Sequence, residues 1–282
     1  MAQIREIKKR IKSVESTQKV THAMELIAAT RMRKSQIAAL AGRPYAYSLA
    51  QMLSSVKKTA SEKVEHELLK TNDAPDELLL LITSDRGLAG GLNINIFREI
   101  LRSELKNTKY ITVGKKGRDF ATKTNQELIA SYGSEEMSAL DLARILTKMA
   151  TTGYIQNEYS KIRIIYPHFV STIKQIPTWV QLLPIEINLE EENNKASQEF
   201  IYEPKADEIL DSILTHHITT QIYQVLVEAK ASEFSAKMVA MKNATDAADD
   251  LVKDLTLTYN QARQEAITTE LLDITTAQKA FE

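Results

Sequence analysis

Every glycine and every proline of this chain lies between Gly42 and Pro204. These two residues penalise a helix interior most, by about 1 and 3 kcal/mol relative to alanine. The stretches Met1–Ala41 and Lys205–Glu282 contain neither. Both ends therefore read as long, unbroken helices flanking a middle that holds the turn chemistry. At ~1.5 Å per residue the C-terminal stretch reaches ~115 Å when fully helical, several times the width of a compact domain. A helix of that length lies against a partner or projects from the body.

The periodicity of the ends supports a paired arrangement. Ile4, Ile7, Ile11 and Val14 follow the 3-4-3 spacing of a coiled-coil seam. Polar residues then occupy the continuing positions, Gln18, Thr21 and Glu25, and apolar ones resume one step out of register at Val20, Met24 and Ile27. Such a shift implies a local change of supercoil, or a seam that trades partners. In the last helix Met241, Ala244, Ala248, Leu251 and Leu255 repeat the 3-4 spacing, with small residues that permit close approach. Its start is marked by Pro204, with Asp207 and Glu208 where the helix dipole favours acids. Net charge is -1 overall but unevenly spread. Residues 1–34 carry nine basic and three acidic groups, and residues 228–282 six basic and ten acidic. Opposite signs favour pairing the two ends over self-pairing of either, a modest term once screened by salt.

Between the ends the pattern changes. Gly42-Arg43-Pro44 is expected to interrupt the first helix, with a second helical stretch over residues 45–70 and a loop at Asn72–Pro75. Leu78–Thr83 is a short, continuous apolar run of the kind found in buried parallel strands. A glycine-rich loop, Ser84–Asn93, precedes a helix over 94–105. A second strand at 109–113, the Gly114–Gly117 turn, and helices at 118–124 and 138–152 follow. Strands are expected at 161–166 and 172–183, and a polar loop at 190–198. Strands and helices in this order predict a small α/β sandwich. The expected fold is thus mixed α/β: a long antiparallel coiled coil of the N- and C-terminal helices with an inserted, small Rossmann-like α/β domain. The expected domains are residues 1–72, 73–199 and 200–282.

Composition excludes several functions. With no cysteine there is no disulfide, thiolate metal site or cysteine nucleophile. The first residues lack the apolar core of a secretory signal. The longest strongly apolar run, Leu78–Ile82, is far shorter than a membrane span. Arg86-Gly-Leu-Ala-Gly-Gly91 stands after a strand and before a helix, the context of a phosphate-binding turn. It matches neither G-x-G-x-x-G nor G-x-x-x-x-G-K-[ST], so a tight strand-to-helix turn is the simpler reading. His216 and His217 point about 100° apart on a helix and form no i, i+4 metal clamp. The carboxylate runs Asp249-Asp250 and Glu190–Glu192 lack any pocket-forming context. The basic first helix has no aromatic stacking set for nucleic acid, and an acidic protein partner suits it better. No catalytic residue, cofactor-binding residue or metal ligand is expected.

Several blocks resemble one known family in order and spacing: the γ subunit of F-type ATP synthase, bacterial type. Ser13–Gln36 (SVESTQKVTHAMELIAATRMRKSQ) is similar to its N-terminal helix signature. Thr83–Asn93 is similar to its loop after the first strand, with Ala89 in place of a frequent cysteine. Phe200–Pro204, Met238–Asp246 and Arg263–Leu271 resemble its later segments. The family's terminal Ile-Val-Ser-Gly-Ala-like stretch reads Ile274–Gln278 here, with Ala277 at the usual glycine.

The resemblance implies a non-catalytic central rotor stalk. Its terminal helices would turn inside a ring of α and β subunits, and its α/β domain would stand with the ε subunit on the c-ring of the membrane sector. Turning the asymmetric stalk would couple rotation to nucleotide affinity in β. The chain would lie at the cytoplasmic face of the bacterial plasma membrane, peripheral, without inserting. It would bind no nucleotide, cofactor or nucleic acid. Arg263, Gln264, Thr268 and Glu270 would meet β, with Met24 facing them from the first helix. Arg10, Arg31, Arg33 and Lys34 would face the ring, and Tyr202 and Glu203 the c-ring. Met24→Lys would then impair coupling more than assembly, by setting a second cation opposite Arg263. Two rival readings are an α/β nucleotide-binding enzyme and a coiled-coil scaffold.

Overall fold

A computed structural model describes residues 2–59, 66–103, 105, 107–186 and 206–280. In chain order the elements are α1 (Ala2–Thr59), a short 3-10 turn (Glu67–Leu69), β1 (Asp76–Ile82), α2 (Leu92–Arg102), β2 (Thr108–Val113) and α3 (Lys115–Lys123). Then come β3 (Glu127–Tyr132), α4 (Ala139–Ile155), β4 (Tyr159–Phe169), β5 (Gln175–Leu183) and α5 (Ala206–Ala280). The mixed α/β class with long terminal helices is as expected. The chain divides into two compact units, one of residues 1–28 with 237–282 and one of residues 29–236. That division follows packing, whereas the expected boundaries at 72/73 and 199/200 follow element type.

The larger unit is built on one five-stranded sheet in the order β3-β2-β1-β4-β5. The first four strands are parallel and β5 is antiparallel to β4. Strands of a parallel sheet are covered on both faces, which explains the uninterrupted Leu78–Ile82 run. Leu78, Leu80 and Ile82 face one side with Ile111, Val113, Ile162 and Ile164, against Leu142, Leu146 and Ala150 of α4, Leu53 and Val56 of α1, and Leu214, Ile218 and Ile222 of α5. Leu79 and Leu81 face the other with Tyr110 and Ile165, against Ile96 and Ile100 of α2. Each buried valine, leucine or isoleucine here contributes roughly 1.5–3 kcal/mol on leaving water.

Three local expectations change. Helix α1 is not interrupted at Gly42-Arg43-Pro44; it runs through Pro44 to Thr59. A proline in a helix interior removes one backbone hydrogen bond and crowds the carbonyl four residues back, a penalty of about 3 kcal/mol. The tertiary surroundings carry that penalty. Gln224 of α5 donates from Nε2 to the carbonyl of Ala39 at 2.9 Å, next to the crowded Leu40. Gly42 leaves room for this: a Cβ there would stand 2.5 Å from Gln224 Oε1.

Strand β3 was not anticipated. It is an edge strand whose residues alternate between exposed and half-buried, so it lacks the apolar run that marks a central strand. Strand β4 passes through Pro167, which pairs with Pro177 at the β4–β5 ladder, instead of ending there. The expected polar loop at 190–198 and the helix-start signals at Pro204, Asp207 and Glu208 lie outside the described residues or side chains.

The smaller unit pairs the first half of α1 with the last half of α5. Gln18 Nε2 donates to Asp249 Oδ1 at 3.2 Å and Thr245 Oγ1 to Thr21 Oγ1 at 2.9 Å, which fixes an antiparallel register. The less exposed positions of α1 run 4, 7, 11, 14, 18, 21, 25 and 28. The heptad therefore continues without a phase shift through Gln18, Thr21 and Glu25 to Ala28. Val20, Met24 and Ile27 stand outside it, at 54%, 40% and 56% exposure. Hydrogen bonds between seam side chains make the polar positions compatible with partial burial. On α5 the seam takes Met241, Thr245, Ala248, Val252, Leu255, Tyr259, Ala262 and Ala266; Leu251 lies off it, exposed.

Candidate interaction surfaces

In the smaller unit the feature that stands out is apolar surface left uncovered. Ala28, Met241 and Ala248 are its buried hydrophobic residues among those described, while Val20, Met24, Leu26, Ile27, Leu251, Leu257, Ile267, Leu271, Leu272 and Ile274 are exposed. Two paired helices bury only the facing stripe of each. The second stripe of α1, Val20–Met24–Ile27, is left over because that helix carries apolar residues on more than one face. Contiguous apolar surface of this kind marks an interaction site.

The register places the expected contact residues. Carried along α5, it sets Met24 beside about Lys242, and Arg263 opposite about Ile4. Met24 and Arg263 are thus separated by roughly 30 Å along the helix pair, and the expectation that they face each other is corrected. The reason is antiparallel geometry: each step up α1 is a step down α5. A lysine at position 24 would stand at the level of Lys242, not of Arg263. Arg263, Gln264, Thr268 and Glu270 are all exposed on α5, beyond or at the level of the first residues of α1. Thr268 Oγ1 donates to the Gln264 carbonyl at 2.9 Å, tying it to its own helix. Arg10 is exposed on α1. Lys253 binds along its own helix to Asp249 at 2.7 Å and Asp250 at 3.2 Å. The hydrogen bond from Lys253 holds the Asp249 carboxyl below its ordinary range.

In the larger unit Arg33 and Lys34 are exposed, but Arg31 is engaged. Its Nη1 lies 3.2 Å from Glu135 Oε1, and its guanidinium sits 5.6 Å from the centre of the Phe234 ring. Arg31 therefore has partners within its own unit. Tyr202 and Glu203 lie outside the described residues.

The glycine-rich loop after β1 is built as a structural junction. Asp85 Oδ1 accepts from the backbone N–H of Lys115 at 3.1 Å, and Oδ2 accepts from Ser134 Oγ at 2.8 Å and Glu135 N at 3.2 Å. One carboxylate thus joins the loops that follow β1, β2 and β3. It also occupies the anion position at the N-terminus of α3, where a helix dipole would otherwise attract a phosphate. Thr83 Oγ1 accepts from Gly117 N at 2.8 Å. Gly114 has φ of 100°, and a Cβ there would stand 2.2 Å from the Thr83 carbonyl. The hollow beyond Ile82, Thr83 and Val113 is roofed by Leu226, Ala229, Lys230 and Glu233 of α5. This is the edge at which open α/β sheets receive ligands, and it is occupied by the chain itself.

Sequence reasoning missed a second carboxylate. Glu228 of α5 is 5% exposed and carries five polar contacts. Arg43 Nε and Nη2 donate to its Oε1 at 3.2 and 3.1 Å, and Gln224 Nε2 at 3.1 Å. His168 Nδ1 lies 2.8 Å from Oε2, and Tyr166 Oη donates to it at 3.3 Å. Burial first, then the Glu228 charge, raises the Tyr166 phenol well above its ordinary range and keeps it a donor. The sequence signal was present only as an acid inside the apolar run Val225–Ala229. Of the other histidines, His22 pairs with Glu25, His66 with Asp211, and His216 with Tyr45 at 2.6 Å. Among the described residues no cluster of three or more His, Asp or Glu is placed to hold a metal ion. Nor is any described helix long and apolar enough to cross a membrane.

A family model described as ATP synthase matches residues 3–281. The chain is 38% identical to the ATP synthase gamma chain of Opitutus terrae, covering 99% of each sequence. It is 38% identical to that of Desulfitobacterium hafniense and 37% to that of Akkermansia muciniphila, over the full length of each. Its fold is similar to a chain of the Tetrahymena thermophila mitochondrial ATP synthase central stalk and c-ring structure, with a TM-score of 0.61 at 25% identity, over 80% of this chain and 99% of that one. It is also similar to a chain of the Euglena gracilis mitochondrial ATP synthase, with a TM-score of 0.73 at 18% identity, over 99% and 95%.

Proposed function

The chain belongs to the ATP synthase gamma-chain family, and from that premise we propose that it is the central rotor stalk of a proton-translocating F-type enzyme. It carries no catalytic group of its own. Its paired terminal helices turn within a ring of α and β subunits and change the nucleotide affinity of β by presenting unequal faces. Its α/β domain docks with ε on the c-ring, with Tyr202 and Glu203 as candidate contacts there. The complex holds it at the cytoplasmic face of the bacterial membrane as a peripheral subunit.

The observation that carries this reading is the apolar surface left bare on the smaller unit. Ile267, Leu271, Leu272 and Ile274 follow Ala266, the last half-buried seam position on α5 among the described side chains, and are 46–60% exposed. A helix tip so apolar requires a sleeve of other protein around it. Arg263, Gln264, Thr268 and Glu270 are on the same stretch and are the residues we assign to the β contact. Met24 is assigned to a separate level of the sleeve. Arg10, Arg33 and Lys34 offer cations to acidic loops of the ring, while Arg31 would do so only by leaving Glu135. The enzyme reading is opposed by Asp85 at the α3 N-terminus and by the α5 roof over the sheet edge.

The test is co-expression with the cognate α and β subunits. One copy of this chain per three αβ pairs, with ATP hydrolysis that depends on it, supports the proposal. A chain that stays apart as a monomer and binds nucleotide overturns it.

A further inference from the structure

We propose that Glu228 is a torsional clamp, a positioning residue that locks α1, α5 and the sheet together at the level where Pro44 weakens α1. The proposal rests on the rotor reading and goes beyond it by assigning stiffness to one side chain. The argument begins with the backbone. A helix resists twisting through its ladder of i to i−4 hydrogen bonds, and Pro44 removes one rung from α1. The carbonyl freed is that of Leu40, four residues back, and the Ala39 carbonyl lies beside it on the same turn. Gln224 takes the Ala39 carbonyl at 2.9 Å, and the same amide nitrogen lies 3.1 Å from Glu228 Oε1.

The two carboxylate oxygens then divide the work. Oε1 receives Arg43, the residue immediately before the proline, through two guanidinium nitrogens at 3.1 and 3.2 Å. Oε2 receives Tyr166 and His168 of β4 at 3.3 and 2.8 Å. One buried acid on α5 thereby ties the weakened turn of α1 to both neighbouring elements. Hydrogen bonds to a carboxylate in a low-dielectric setting are strengthened and mutually reinforcing, which favours stiffness over mere attachment. A pair of leucines would pack these helices as well, so packing alone does not account for a charge at this position.

The clamp predicts that stiffness and stability separate. Glu228→Leu fills the volume and releases Arg43, which is 45% exposed, to water. Glu228→Gln keeps an acceptor for Arg43 and offers an amide group to Tyr166 Oη and His168 Nδ1. The measurement is the angular fluctuation of a bead on the paused complex with α and β. The bead is attached at Lys174→Cys, a unique thiol on a chain that has no cysteine. In Glu228→Leu the angular variance is expected to rise at least about twofold, with the melting temperature and unloaded hydrolysis rate of the complex retained. Glu228→Gln, which keeps the hydrogen-bonding shape but removes the charge, should give a variance between those of the unmutated chain and Glu228→Leu. The double variant Tyr166→Phe, His168→Asn removes only the β4 arm and should give an intermediate value; it also serves if the leucine variant fails to fold. Unchanged variance in an assembled leucine or double variant overturns the clamp while leaving the rotor reading intact. Failure of the unmutated chain to join α and β overturns both.

Discussion

Gly114 shows how much one backbone position carries. It combines a positive φ with a contact that leaves no room for a Cβ, between β2 and α3. Gly114→Ala is expected to destabilise the chain by more than about 2 kcal/mol, since it adds both strain and a clash with the Thr83 backbone. Gly87→Ala, with nothing within 4 Å of the new methyl, is expected to change stability by less than about 0.5 kcal/mol. Chemical denaturation of the two variants checks the contrast. His217 supplies a pH-dependent case. Its burial, and secondarily the neighbouring His216, lower its pKa. The unfolded chain then binds a proton at its ordinary pKa of about 6.5 while the folded chain does not. Stability from this group is complete above that pKa and falls as pH drops below it. The melting temperature should fall between about pH 7.5 and 5.5, and His217→Gln should make that fall smaller. An equal fall in both proteins would count against the assignment.

At the scale of elements, α1 carries two apolar stripes, and sequence periodicity alone gives no means of ranking them. The Ile4–Val14 seam continues through polar residues because Thr21 and Gln18 find hydrogen-bond partners on α5. The stripe at Val20, Met24 and Ile27 is the more hydrophobic and is nevertheless the exposed one. Ala28, at 1% exposure, is the test position: Ala28→Leu is expected to destabilise by about 1–3 kcal/mol through overpacking. Ile27→Gln should stay within about 0.5 kcal/mol in the isolated chain. The reverse order would place the seam on the other stripe. Continuity through Pro44 belongs to the same scale. The penalty read from the sequence is correct as a local quantity, and a glutamine on α5 and the packing of the larger unit outweigh it.

Across the whole molecule the two units differ in what holds them. The larger has a two-sided sheet core, whereas the smaller buries only three hydrophobic residues among those described. Hydrogen exchange in the isolated chain should therefore be faster, by at least about tenfold, for amides of α1 and α5 in the smaller unit than for those of β1, β2 and β4. Joining α and β should slow exchange in the smaller unit most, because that is where the uncovered apolar surface lies. Equal protection in the free chain, or slowing confined to the larger unit, would contradict the proposed sleeve.

Much of this molecule was readable without coordinates. The length of α5 followed from where glycine and proline are absent, and the central strands followed from apolar runs bounded by turn residues. The resemblance in five ordered blocks pointed to the family, and the comparisons bore it out. These are local or colinear signals, expressed within a few turns or strands of the chain. The choice of face on α1, the persistence of the helix through Pro44, the exposed edge strand β3, the engagement of Arg31 and the Glu228 junction were decided only by tertiary structure. Each depends on residues far apart in sequence, such as Ala39 with Gln224, Arg43 with Glu228, and Thr21 with Thr245. A periodicity states which side chains share a face. Which face is covered, and whether a buried charge or a broken backbone rung is tolerated, depends on what the rest of the chain places against it.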